Sequence, residues 1–150
     1  MYHFFWSGPF SNWYPAAFWD YGTCYNCVEQ YMMAHKAMVF GDYDTHASIM
    51  FEDDPKVIKE LGRKVKNYDE VRWNFFRQQV VFRGCLQKFL QNADLREQLI
   101  DTGDDLLVEA SPYDRIWGIG FREINAVIHR AQWGENLLGK ILTEVKVILQ

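Results

Sequence analysis

From Val28 to Phe40 the positions Val28, Tyr31, Met32, His35, Met38 and Val39 recur at intervals of three and four, which predicts a helix with one buried stripe ending before Gly41. Asp54 followed by Pro55 reads as an N-cap and first helical residue, and Val57, Ile58 and Leu61 form the inner stripe of a helix closed by Gly62. A longer helix is predicted from about Asp69, with Val71, Phe75, Phe82, Cys85, Leu86 and Phe89 as its buried face and Arg72, Arg77 and Arg83 distributed around it. Asn92 then caps a helix carrying Leu95, Leu99 and Ile100, which Gly103 stops. From Asn136 onward Leu137, Leu138, Ile141, Leu142, Val145, Ile148 and Leu149 mark a terminal helix. Tyr2 to Trp6 and Leu106 to Ala110 are short β-prone runs and read as strands. Between Phe121 and Trp133 the pattern is ambiguous, and Asn125 to Arg130 reads either as a turn or two of helix or as part of a mobile lid. The expected fold is mainly α: one multi-helical domain over residues 1–150 with a few short strands, free of repeats and linkers.

Composition alters this picture in two places. Aromatic residues make up 17% of the chain, and eleven of them fall between Tyr2 and Tyr25. Net charge is −4, yet between Lys56 and Lys88 nine basic residues face three acidic ones, a run that is either a solvated helix surface or a rim that steers phosphate. No run approaches the ~18 apolar residues of a membrane span and no signal-peptide layout is present, so the expectation is a cytoplasmic protein with no membrane partner. Three cysteines, an odd number, fit a reducing compartment.

The stretch Ala110 to Gly120, with the Asn136-Leu137-Leu138-Gly139 that follows it, has the makeup of a ligand loop. Pro112, Asp114, Arg115, Trp117, Gly118 and Gly120 bring a rigid turn, charge, a stacking face and accessible backbone into eleven residues. The plainer reading is a Gly/Pro-rich connection whose Ile116 and Trp117 plug the core. Phe10-Ser11-Asn12-Trp13-Tyr14 mixes rings with an amide, as either a nucleobase or sugar site or an aromatic mini-core under a loop. Glu29 and Lys36 lie two helical turns apart and project from nearly the same face, so both can reach one cavity. Cys24 and Cys27 have redox spacing, but no strand-helix-strand context or second ligand pair accompanies them, and His35 reads as a packed or capping histidine.

With these motifs placed, the sequence resembles the NADAR (YbiA-like) family over nearly its whole length. Phe10-Ser11-Asn12 is similar to the family's aromatic-Ser-Asn opening, and Val28-Glu29-Gln30-Tyr31, with Lys36, to its Ser-Glu-His-x-Phe-x-x-x-Lys helix. Gly62-Arg63 matches its Gly-Arg, Glu109 to Gly120 its Glu-x-Ser-Pro-x-Asp-x-x-Trp-Gly-x-Gly block, and Asn136 to Gly139 its Asn-x-Leu-Gly. Val28 and Gln30 depart from the family's Ser and His beside the glutamate, and Lys146 stands where an arginine is usual.

The resemblance implies N-glycosidase chemistry on ribose-based compounds: ADP-ribose attached to a base, including guanine in nucleic acid, or phosphoribosylamino-pyrimidine intermediates of riboflavin synthesis. Breaking a C1′–N bond builds oxocarbenium character on the ribose and calls for a carboxylate, a positioned water and a stabilised leaving base. In that scheme Glu29 stabilises the charge or activates water, Asp114 holds ribose hydroxyls or shares the base role, and Trp117 stacks on the departing base. Lys36 and Arg63 take phosphate, the backbone of Gly118 and Gly120 approaches it, and Asn12 and Asn136 hydrogen-bond sugar or base. The scheme requires no metal or other cofactor. A module that binds ADP-ribose or a dinucleotide without cutting it, and a helical interaction protein whose loop is structural, are the competing classes.

Overall fold

The computed structural model describes all 150 residues, Met1–Gln150. Four strands, β1 (Tyr2–Phe5), β2 (Phe18–Asp20), β3 (Thr23–Tyr25) and β4 (Leu106–Glu109), are set among seven helices: α1 (Val28–Val39), α2 (Tyr43–Met50), α3 (Pro55–Arg63), α4 (Glu70–Gln91), α5 (Ala93–Ile100), α6 (Glu123–Ala126) and α7 (Leu137–Leu149). A 3₁₀ segment, Val127–Gln132, continues α6. Two compact units result, Pro15–Asn92 and the pair of segments Met1–Tyr14 with Ala93–Gln150.

In the Pro15–Asn92 unit, α1 packs against α2, α3 and α4. Its first two turns are buried on every side, including Glu29 and Gln30, so the single stripe expected from the sequence broadens to nearly the whole circumference. Close approach explains the glycines of its partners. A Cβ on Gly62 of α3 would collide with the Met33 side chain, and one on Gly84 of α4 would come within 2.8 Å of the Tyr31 ring. The α4 face also departs from expectation. Trp73, Val81, Cys85 and Phe89 are buried, whereas Val71 and Phe75 are exposed at 79% and 74%. The helix is rotated to bring Gly84 onto Tyr31, and that turns Val71 and Phe75 outward.

β2 and β3 form an antiparallel hairpin in the register Phe18↔Tyr25, turning through Tyr21 and Gly22, both at positive φ. The buried carboxylate of Asp20 at its tip accepts a hydrogen bond from the Tyr31 hydroxyl (2.7 Å) and a two-pronged bond from Arg83 (2.8 to 3.1 Å). Arg83 holds the Asp20 carboxyl below the usual carboxylate range, against the opposing effect of burial. A depressed folded value stabilises the fold at pH above the ordinary carboxylate value, and that contribution disappears as pH falls through the depressed one. Asp20→Asn is therefore expected to cost about 2 kcal/mol at pH 7, discounted for the solvent around Arg83, and progressively less toward pH 3. Thermal midpoints across that range check it; an equal loss at both ends would refute the ion pair as the cause.

In the other unit β1 and β4 pair in parallel, Tyr2↔Leu106 through Phe5↔Glu109. Val108, Ala110, Ile119 and Ala126 form a core under Tyr2, Phe4, Phe121 and Trp133. The ambiguous stretch is helical from Glu123 to Gln132, and the Trp133 indole N–H donates to the Ala126 carbonyl (2.7 Å), tying its end back to the close of α6. On α7, Leu138, Ile141, Leu142 and Val145 are fully buried, as their spacing predicts. Lys146, also buried, donates to Thr102 Oγ1 and to the carbonyls of Gly103 and Asp105 at 2.7 to 2.9 Å. Its ammonium clamps the turn before β4, a job for three diverging donors that a planar guanidinium fits less well.

Candidate active site

Glu29 occupies the first turn of α1 and is 4% exposed. That is the end of the helix at which the positive pole of its dipole lies. Met33 and Lys36 follow on the same face, and that is the face α3 meets through Gly62. Arg63, the residue after Gly62, is exposed at the α3 C-terminus. The three residues are electrostatically coupled: burial lowers the Lys36 pKa, Glu29 raises it and Arg63 lowers it further. An arriving anion would oppose that lowering by favouring the charged form of Lys36. The unit therefore brings Glu29, Lys36 and Arg63 together, in order of increasing exposure.

Tyr68 joins them, although no periodicity in the sequence marks it. Its ring lies 4.7 Å from Lys36 Nζ and 5.5 Å from the Phe40 ring, and it is 46% exposed. The segment is positioned by Asp42, which caps α2 through Thr45 N–H and accepts from Lys66 N–H at 2.9 Å. The signal in the sequence was only Asn67, which takes the left-handed φ of 61° before the Asp69 cap.

Gln30, in the place of the family's histidine, faces away from this cluster. It accepts from Asn26 N–H (2.8 Å) and donates to the carbonyls of Ile49 and Glu52, pinning the start of α1 to the end of α2. His35 bonds through Nδ1 to the Tyr31 carbonyl one turn back, the packed role expected of it. Cys24 and Cys27 are both free thiols; burial pushes Cys27 up to about 11, so it stays protonated, and burial pushes the Lys88 amine down to about 8.

The remaining predicted residues belong to the Met1–Tyr14 and Ala93–Gln150 unit. Asp114 is half-buried, and its Oδ1 accepts from the N–H groups of Ile116 and Trp117, both at 2.9 Å, so it closes its own turn. That turn presents Trp117 half-buried and not sealed in a core. Residues 115–119 then zip against 134–138. Glu135, Asn136, Leu137 and Leu138 donate their N–H groups to the carbonyls of Arg115, Gly118, Ile116 and Trp117 at 2.8 to 3.1 Å, which satisfies the first donors of α7 with backbone.

Asn136 takes φ 51° and donates to the Leu107 carbonyl while accepting from Glu109 N–H, both at 3.0 Å. Its carboxamide is thus engaged by β4 in the manner of a neighbouring strand. Gly118 is buried, and a Cβ there would come within 2.8 Å of the Glu109 carbonyl and 3.0 Å of Glu109 Oε2. Packing on Glu109, whose Oε2 is shielded from solvent, is what demands glycine at 118. Gly120 has φ 80° and lies against the Arg115 side chain. Asn12 is buried in the turn Gly8–Tyr14, which Ser11 closes by accepting from Trp13 N–H. Phe10 packs edge-on against His3 and Phe5, so the Phe10-Ser11-Asn12 opening is at once a mini-core and a turn.

Comparison with known proteins gives a consistent result. Residues 4–150 match the model of the NADAR domain. An N-glycosidase of Acanthamoeba polyphaga mimivirus is 43% identical over 144 residues, spanning 91% of this chain and 85% of the viral protein. An N-glycosidase of Nostoc punctiforme is 34% identical, over 93% of this chain and 83% of the relative. Among solved structures, the NMR structure of the E. coli protein YbiA superposes with a TM-score of 0.81 at 28% identity, covering 98% of this chain and 83% of YbiA.

Proposed function

Because this chain belongs to the NADAR domain family, we propose that it is an N-glycosidase, hydrolysing the C1′–N bond between a phosphate-bearing ribose and a nucleobase or related heterocycle. Glu29 carries the reading: a buried carboxylate at a helix N-terminus, with Lys36 two turns along the same face and Arg63 beside it. As the C1′–N bond lengthens, positive charge grows on the ribose and the Glu29 carboxylate opposes it with little intervening water. A water then adds its oxygen to C1′ and passes a proton to Glu29. The bonding pair leaves with the base nitrogen, which takes up a proton, so the products are free base and a ribose bearing a C1′ hydroxyl.

Lys36 and Arg63 bind the phosphate, Arg63 from the solvent side and Lys36 from the half-buried one, and phosphate binding favours the charged form of Lys36. Tyr68, against Lys36, fixes the ammonium and offers a ring edge to the substrate. Asp114, Trp117, Gly120 and Asn12 keep the ribose, base and phosphate roles that the family resemblance gives them. Gly118 and Asn136 serve the packing of the β4 and α7 junction.

The substrate is either ADP-ribose attached to a base or a phosphoribosylamino-pyrimidine, and release of free base from a guanine-ADP-ribosylated oligonucleotide and from the pyrimidine compound decides between them. Release from the oligonucleotide, falling steeply with added salt, identifies a nucleic-acid substrate; release from the pyrimidine compound with a shallow salt dependence identifies a free metabolite. If neither is cleaved and ADP-ribose still binds, the protein is a binding module and the proposal fails.

A further inference from the structure

Within the unit of Met1–Tyr14 and Ala93–Gln150 the structure holds a cavity of about 510 Å³ lined by Phe5, Trp6, Ala110, Arg122, Glu123 and Ile124. That volume is within the roughly 300–1,000 Å³ of small-molecule sites. It lies just beyond the C-terminal ends of β1 and β4, where the Ala110 N–H still donates to the Phe5 carbonyl (2.7 Å) before the two chains part. One chain continues into Ser7-Gly8-Pro9 and the other into Ser111-Pro112-Tyr113, so a crevice opens at the end of a parallel pair.

The chemistry of its walls is specific. Trp6 in the lining is 43% exposed, and Tyr113, outside the lining and 80% exposed, stands next to it with ring centroids 5.9 Å apart at a 53° tilt. The Arg122 guanidinium sits 5.3 Å from the Trp6 ring centre. Two open rings beside a guanidinium match a flat, electron-rich heterocycle next to an anion. Glu123, an acceptor at the rim, suits a ring that carries N–H donors.

We infer that this cavity is a nucleotide subsite, in which Trp6 stacks on a nucleobase, Tyr113 beside it borders the base edge-on, Arg122 holds its phosphate and Glu123 accepts from its amino group. The inference deepens the N-glycosidase reading by adding a second nucleotide contact and rests on that reading for its biological use; binding itself needs no turnover. The nucleotide is either free or a residue of a single strand, and the two sources share this chemistry.

Titration calorimetry of the full chain with adenosine monophosphate and with a single-stranded pentadeoxyadenylate, for wild type, Trp6→Leu and Arg122→Gln, tests it. Each variant is expected to weaken binding about tenfold or more, as loss of one stacking or one phosphate contact does. Both side chains are solvent-exposed, and unchanged thermal midpoints confirm that the variants fold. Comparable affinity for the two probes assigns the site to a free nucleotide. Tighter binding of the pentamer, with a salt dependence that Arg122→Gln reduces, assigns it to a strand. Wild-type affinity in both variants, or no binding of either probe to wild type, overturns the inference. Base release measured on the same wild-type sample separates the two ideas: release with unweakened variants sinks the subsite alone, and weakened variants without release sink the glycosidase alone.

Discussion

Glu29→Gln is expected to lower base release roughly a thousandfold while changing substrate affinity little, because the side chain keeps its shape and loses only its charge and basicity. At 4% exposure the carboxylate has little bulk water to screen it, so its charge is felt strongly by a cation forming nearby. The helix N-terminus that supports the anion is neutral toward the amide, which is why folding is expected to survive. Lys36 reports the same change: without Glu29 to favour its charged form, its pKa falls further, so the small loss of affinity is expected to grow as pH rises. Single-turnover base release and equilibrium binding of ADP-ribose are the measurements. Full activity in Glu29→Gln would remove the glutamate from the mechanism, and loss of binding with no change in the chemical step would recast it as a binding residue.

Asn136→Ala is expected to destabilise the fold by about 3 kcal/mol, lowering the thermal midpoint by roughly 6–12 °C, through two separable effects. The residue sits at φ 51°, where alanine is strained, and its carboxamide makes two 3.0 Å hydrogen bonds to β4 that alanine cannot make. Asn136→Gly removes the bonds but not the conformational freedom, so about half of the loss should remain. Neither variant is expected to alter affinity for substrate in protein that is folded. A large rise in KM with an unchanged midpoint would return Asn136 to the ligand role that the family pattern implies. Gly139 supports the structural assignment, since a Cβ there would collide with the Leu107 carbonyl and the Asn136 side chain.

Sequence legibility followed the strength of local signals. The α7 stripe is apolar over three turns, the α3 start carries Asp54 and Pro55, and both appear where expected. Helix α2 went unread because Tyr43–Met50 buries only Ile49 and contains poor helix formers; its Asp42 cap and its place against α1 and α3 sustain it. The β2 and β3 hairpin was hidden by three-residue strands and a turn led by tyrosine. For the site, the motif Val28-Glu29 through Lys36 was read at the right helical phase, while Tyr68 had no periodicity to expose it.

The chain by itself determined which segments are helical, α2 and α6 apart, that Glu29 and Lys36 share a face, and, through its motif blocks, the family to which it belongs. These properties depend on residues within a few turns of one another or on local identity. Which side of α4 is inside, what Gln30 and Lys146 hold, and that Asn136 and Gly118 pack against β4 were decided only in three dimensions. The partner is 19 residues away or more for Gln30 and 29 away at the Leu107 carbonyl for Asn136, and a side chain's donors and acceptors declare their use only when such a partner is brought within hydrogen-bond distance.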